Sequence, residues 1–189
     1  MEKQNKQPEE VYVTMASFID DQLVQRVFAL FSLLINNNVK TVHLLMQSTG
    51  GHVPAGIALY NFLKNIPVNI ITYNGGNVAS IAVIVYLAGK IRNVSENASF
   101  MIHKTSFQFP APVMAEILEI CANNIKRDDA NTEAIWKKYI TMKDEKWGIL
   151  KTTDLIIRPE EAVAIGLSHA MGDFALPTGN KLFDVSFKH

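Results

Sequence analysis

Twice in its first half the chain repeats one pattern: a short run of branched and aliphatic residues stops at a pair of glycines, and an apolar helical segment follows. Thr41 to Gln47 is the first run, Ser48-Thr49-Gly50-Gly51 its stop and Pro54 to Leu63 its helix. Val68 to Thr72, Asn74-Gly75-Gly76 and Val78 to Ala88 form the second set. Strands that alternate with helices build a largely parallel sheet, because a helical crossover returns the chain to start the next strand in the same direction. The fold class is therefore α/β. Loops at the carboxyl ends of parallel strands carry function, so both glycine turns are expected at one edge of the sheet.

The remaining segments fit around this frame. Val11 to Met15 is a short β-rich run, and Ser17-Phe18-Ile19-Asp20 has the spacing of a helix capping box with Asp in place of Glu. A helix follows, with Leu23, Val24, Val27, Phe28, Phe31, Leu34 and Ile35 at helical spacing until Asn36-Asn37-Asn38 breaks the pattern. Ala98 to His103 is apolar and β-like up to its histidine. Pro112 to Tyr139 is a long helical pattern with a polar centre at Lys126 to Asp129, as expected of a helix that leaves the globular body. Thr141-Met142-Lys143-Asp144 has the spacing of a second capping box, for a short helix ending before Lys151. Ala170 to His189 is mixed, consistent with a closing strand and a tail.

Composition excludes several functions. At 189 residues and 48% hydrophobic content the chain fits one domain with a substantial core. Eighteen basic residues balance eighteen acidic ones, so no global field steers it toward nucleic acid or an anionic membrane. The single cysteine, Cys121, can form no internal disulfide and points to a reducing compartment. The five histidines show no ligand spacing and no phosphate loop is present, so neither a metal nor an organic cofactor is expected. Residues 1–10 are polar, are expected to be disordered, and lack the apolar core of a signal peptide. The longest apolar run, Val78 to Ala88, is too short to span a bilayer. A soluble, cytoplasmic protein is the expectation.

Four residue types at these places suggest acyl-transfer chemistry. Ser80 is a lone hydroxyl at the start of an apolar helix, where unpaired N–H groups and the helix dipole would stabilise a developing oxyanion. A serine there can equally be a plain helix cap. The Gly50-Gly51 turn can bring a backbone N–H close to a substrate carbonyl, or it can simply make a tight turn. His103 at a strand end is a base or an ordinary surface histidine, and Asp154 is a carboxylate partner or a solvated strand-edge acid.

Gly76-Asn77-Val78-Ala79-Ser80 resembles the G-x-A-A-S nucleophile segment of the ClpP family of caseinolytic serine peptidases. Three further stretches resemble that family in the same order. They are Ser48-Thr49-Gly50-Gly51 for S-P-G-G, Met101-Ile102-His103 for the M-I-H strand end, and Asp154 to Ala162 for the D-x-F-L-x-A-x-E-A segment. The resemblance runs from about Val11 to Gly172 and implies a peptidase domain over residues 11–174, with residues 175–189 as a tail. It implies a ClpP/crotonase-like fold of repeated strand-turn-helix units with a protruding handle helix. It assigns Ser80 as nucleophile, His103 as base and Asp154 as the third triad member, with the N–H groups of Gly51 and Ile81 as oxyanion hole. It also implies peptide or unfolded-protein substrates, and homo-oligomeric rings of seven, two rings stacked, that act with an AAA+ unfoldase.

Three positions depart from the pattern: Thr49 and Thr105 stand where the family usually has proline, and Thr153 where many members have arginine. The chain also starts close to its first strand, lacking most of the family's axial-loop segment, so docking to an unfoldase is expected to be weak or absent. Two other readings remain open from the residues alone. A crotonase-type acyl-CoA hydratase or isomerase shares the strand and glycine-turn logic without needing all three triad residues, and a catalytically silent subunit could build mixed rings.

Overall fold

In the computed structural model, which describes residues 9–109, 111–150 and 152–187, the alternation runs β1 (Glu10–Ala16), α1 (Asp21–Asn36), β2 (Thr41–Ser48), α2 (Val53–Asn65), β3 (Asn69–Ala79), α3 (Ile81–Tyr86). Then come β4 (Ile91–Val94), β5 (Ser99–Ile102), α4 (Ala115–Tyr139), α5 (Asp144–Ile149), β6 (Leu155–Ile157), α6 (Pro159–Ala164), β7 (Ala170–Met171) and β8 (Leu182–Asp184). β1, β2 and β3 pair in parallel, the arrangement the alternation requires. The sheet has eight strands in the order β6-β5-β3-β2-β1-β8, with β4 and β7 on a branch from β3. β8, from the mixed C-terminal stretch, lies parallel to β1 at the sheet edge. Of the polar start, residues 1–8 lie outside the described residues, and Glu10 is already the first residue of β1.

The core forms where helix stripes meet one face of this sheet. Leu23, Val27, Phe31 and Leu34 are the buried stripe of α1, and Ala55, Gly56, Leu59, Tyr60 and Leu63 that of α2. Every residue of α3 is buried. Removing each large side chain in this set from water contributes about 1.5–3 kcal/mol. Of the α1 residues at helical spacing, Val24, Phe28 and Ile35 are half-buried, and the helix expected over Val78 to Ala88 is shorter, because Val78 and Ala79 are drawn into β3. On the opposite face of the sheet a row of rings takes the place of helices. Tyr12 stacks on His43 at 4.5 Å, His43 on Tyr73 at 5.9 Å, and Phe174 meets the edges of both tyrosines.

Both capping boxes shift in the structure, for one reason. Asp20, not Ser17, caps α1, its carboxylate accepting from the Leu23 N–H at 2.8 Å. Ser17 is taken by the sheet: its carbonyl accepts from the buried Ser48 hydroxyl at 2.6 Å. Likewise Lys143, not Thr141, precedes α5, because the Thr141 N–H donates to the Ile165 carbonyl at 2.8 Å. In each case a bond distant in sequence occupies the residue that local spacing favoured.

The expected turn at Asn74-Gly75-Gly76 is a bulge inside β3. Met46 pairs with Asn74 and Ser48 with Val78, so β3 advances four residues while β2 advances two. The Asn74 and Gln47 side chains take up the backbone groups left unpaired, accepting from Gly76 N–H at 3.1 Å and Asn77 N–H at 2.7 Å. The bulge divides β3 between two neighbours. Residues before it pair with β4 (Ile71↔Ile91 to Asn74↔Val94), and residues after it pair with β5 (Asn77↔Ser99 to Ala79↔Met101). β6 then joins β5 antiparallel. The site is built on this second half.

α4 is the protruding helix. It has 25 residues, about 37 Å at 1.5 Å per residue, yet its buried residues are Thr132 and Trp136 alone, both near its C-terminal end. Its first turns present Ile117, Leu118 and Ile120 to solvent.

Candidate active site

Three neighbouring strands deliver the candidate residues to one end of the sheet. Ser80 is the residue after β3 and His103 the residue after its parallel partner β5, while Asp154 immediately precedes β6, which runs antiparallel to β5. Residues far apart in sequence thus meet because two strands stop and one starts at the same level. The Ser80 N–H donates to the Met101 carbonyl at 2.7 Å, tying the end of β3 to the strand that carries the histidine.

The geometry is tightest between serine and histidine. His103 Nε2 lies 2.8 Å from Ser80 Oγ, within hydrogen-bond reach. Ser80 has φ 58° and ψ −130°, a backbone conformation rare for any residue but glycine. Such a conformation persists only where the surroundings enforce it, and here strand pairing on one side and the wholly buried α3 on the other do so. The turn lifts the side chain off both elements. Ser80 makes no side-chain cap bond to α3, so its hydroxyl is left for His103.

The carboxylate side is looser. Asp154 Oδ1 is 4.0 Å from His103 Nδ1, beyond a hydrogen bond, and the Asp154 side chain is 60% exposed.

Beside Ser80 lies the glycine turn after β2. Gly50 has φ 100°, and a Cβ on it would fall 2.6 Å from Ser80 Cβ, so no other residue fits there without displacing the serine. Gly51 sits against β1's continuation: the Ile19 N–H donates to the Gly50 carbonyl at 2.9 Å and the His52 N–H to the Ile19 carbonyl at 2.8 Å. A Cβ on Gly51 would come within 2.1 Å of the Ile19 oxygen. Ser48 completes the turn, its buried hydroxyl accepting from the Gly50 N–H at 3.1 Å. Thr49, where proline would have stiffened the loop, is therefore backed by these bonds. The Gly51 N–H has no acceptor among the described residues, and Ile81, the first residue of α3, has none inside its helix.

Gly51, Ile81, Ser80 and His103 line a single pocket of about 130 Å³, closed on its other side by Thr132 and Trp136 from the base of α4. A groove of about 360 Å³ continues past Gly51 between Val53, Pro54 and Phe107. Asp154 stands outside the pocket lining. Next to His103, Lys104 pairs with Glu133 of α4, and hydrogen bonds from Lys104 and Lys137 hold the Glu133 carboxyl down to about 2. Sequence reasoning named Ser48 only as part of the glycine-turn motif, and it missed Thr132, Trp136 and the acidic pair Asp129 and Glu133, which left no local signal. No group of His, Cys, Asp and Glu among the described residues is arranged to hold a metal ion.

Residues 3–173 match the Clp protease family model. The chain belongs to the Clp protease family. It is a ClpP-like serine peptidase, a hydrolase. The ATP-dependent Clp protease proteolytic subunit 2 of Pseudomonas aeruginosa is 26% identical over 151 residues, 79% of this chain and 74% of the relative. The ATP-dependent Clp protease proteolytic subunit 4 of Rhodococcus jostii is 28% identical over 162 residues, 84% of this chain and 82% of the relative. Among solved structures, a ClpP1 point mutant from Listeria monocytogenes superposes with a TM-score of 0.75 at 22% identity, covering 86% of this chain and 91% of that one. The ClpP-like fold implied by the four motifs is therefore the fold observed. No helix among the described residues is long and apolar enough to cross a membrane.

Proposed function

We propose that this Clp protease family member hydrolyses peptide bonds of short or unfolded peptides through Ser80, His103 and Asp154. The observation that carries the reading is the 2.8 Å contact between His103 Nε2 and a Ser80 hydroxyl held on a strained turn. Ser80 Oγ attacks the scissile carbonyl while His103 takes its proton. Negative charge then develops on the carbonyl oxygen, and the N–H groups of Gly51 and Ile81, both lining the pocket, donate to it. His103 returns the proton to the departing amine, and water releases the acyl group by the same steps in reverse order. Asp154 orients the imidazole and balances its charge once the 4.0 Å gap closes.

The substrate lies extended between the segment after Gly51 and residues 105–109, so a folded domain cannot enter without being unfolded first. The chain carries no phosphate loop, and short peptides are cleaved without ATP. The relatives named above are ATP-dependent subunits, and a Clp ATPase is the class of partner that would supply folded substrates. A homo-oligomeric ring of seven, two rings stacked, encloses the sites. Exposed Met114, Ile117, Leu118 and Ile120 on and before the protruding half of α4 support such contacts between copies.

A silent ring subunit is the second reading, favoured by the open carboxylate gap. A fluorophosphonate probe separates the two. The peptidase reading expects covalent labelling and hydrolysis of short fluorogenic peptides, both lost in Ser80→Ala while the fold survives. An unlabelled wild type, or a Ser80→Ala variant that hydrolyses peptides at the wild-type rate, overturns it.

A further inference from the structure

His103 lies one residue beyond β5, so strand pairing fixes the backbone before it, and its aim also depends on what fixes the backbone that follows. That segment is tied to α4 at two successive residues, at one through its backbone and at the other through a side chain. The Thr105 N–H donates to Asp129 Oδ1 at 2.7 Å, and Lys104 Nζ donates to Glu133 Oε2 at 2.6 Å. Asp129 and Glu133 are four residues apart and so share a face of the helix. They lie beside Thr132 and Trp136, which anchor the base of α4 in the protein body. The bond to Thr105 exists because residue 105 is not proline, which would have no N–H to donate. Thr105 also lines the pocket at Ser80, so one hydrogen bond governs both the approach to His103 and the pocket wall.

We propose that Asp129 is a positioning residue: its carboxylate, by gripping the Thr105 N–H, fixes the two peptide units after His103 and so holds Nε2 against Ser80 Oγ. The role rests on the peptidase reading above, but the geometry it controls can be measured without turnover. The bond is charge-assisted and half-buried, the class of hydrogen bond that sets a loop path most firmly. Losing it lets His103 drift, and displacements of about 1 Å at a catalytic base cost on the order of 100-fold.

The test uses Asp129→Ala and Asp129→Asn in the full-length protein, with wild type as reference. The asparagine keeps an oxygen acceptor at the same place and the alanine does not. In Asp129→Ala, kcat should fall roughly 10- to 100-fold with KM little changed, and fluorophosphonate labelling should slow in step, whereas Asp129→Asn should recover most of both. Crystal structures of the two variants supply the readout independent of activity. The distance from His103 Nε2 to Ser80 Oγ should open beyond about 3.5 Å in the alanine variant and stay near its 2.8 Å value in the asparagine variant. A folded Asp129→Ala protein with wild-type kcat and an unmoved histidine overturns the proposal, and so does an asparagine variant as impaired as the alanine one. If the wild type neither labels nor hydrolyses peptides, the peptidase reading falls, while the crystallographic comparison still decides whether Asp129 holds His103.

Discussion

The serine half and the carboxylate half of the site are built differently. Ser80 sits between Ala79, 1% exposed, and Ile81, 2% exposed, on a turn pressed from the side by Gly50. Asp154 has a 60% exposed side chain, 4.0 Å from the histidine it would serve. The first half is over-determined by the hydrophobic core, which is how a strained conformation costing about 1–3 kcal/mol is held in place. The second half rests on a three-residue edge strand, β6, and its carboxylate is largely open to solvent. Ser80 and His103 are thus positioned by the folding of one chain, and the Asp154 carboxylate is left adjustable. His103 stands between the two, tied to the core by strand pairing and to α4 by the residues that follow it.

The largest effect is expected from breaking the rigid half. Gly50→Ala places a methyl 2.6 Å from Ser80 Cβ and 3.0 Å from the Ala79 carbonyl oxygen, at φ 100° where an L side chain is itself strained. It should destabilise the protein by about 1–3 kcal/mol and lower kcat/KM by roughly 100-fold or more, because the relief available is movement of Ser80 itself. Urea unfolding and peptide hydrolysis measured side by side check this. A stable variant with full activity would mean that the turn is far softer than its packing indicates.

Asp154→Asn probes the adjustable half, and the contrast is that stability should not move. A 60% exposed carboxylate without a hydrogen bond contributes little to folding, so the change should stay within about 0.5 kcal/mol. Activity should nonetheless fall clearly, since an amide neither balances an imidazolium nor selects the histidine tautomer. Unchanged hydrolysis in Asp154→Asn would remove Asp154 from the mechanism and leave a Ser80–His103 pair.

These contrasts also mark where sequence reasoning succeeds. The strand and helix alternation was legible because apolar runs and periodicity are a local record of burial: α1 buries Leu23, Val27, Phe31 and Leu34 of its periodic residues and leaves Val24, Phe28 and Ile35 half-buried, while the unbroken apolar run of α3 is wholly buried. Ser80, His103 and Asp154 were legible as motif residues, and strand ends at one level bring Ser80 and His103 within 2.8 Å while Asp154 stays 4.0 Å away. What stayed hidden depends on contacts across the sheet or between distant segments. The bulge at residues 74–77 exists because β2 and β3 advance at different rates, which β3's own residues do not record. The caps at Asp20 and Lys143 moved because Ser17 and Thr141 bond elsewhere. Asp129 lies 24 residues from Thr105 in a stretch that reads as an ordinary polar helix face.

The smallest expected effect concerns the ion pairs of Glu133, one of which ties α4 to the His103 segment, and its sign can be worked out. Glu133 accepts from Lys104 and Lys137, and these bonds lower its carboxyl from 4.5 to about 2. A carboxyl that is more acidic in the folded than in the unfolded chain contributes its full stabilisation above the unfolded value, and loses it as pH falls from 4.5 toward 2. The Glu133 side chain is 33% exposed, so solvent screening limits the contribution to about 0.5–1 kcal/mol. Glu133→Gln should therefore lower the urea midpoint slightly at pH 7, and the gap to wild type should hold down to about pH 4.5 and narrow from there as the pH is brought to 3. A gap that stays constant across that range would show that Lys104 and Lys137 contribute nothing through charge. The bond from the Thr105 N–H to Asp129 would then be the charge-assisted tie that matters, and Asp129→Ala should impair activity by the same factor with or without Glu133→Gln.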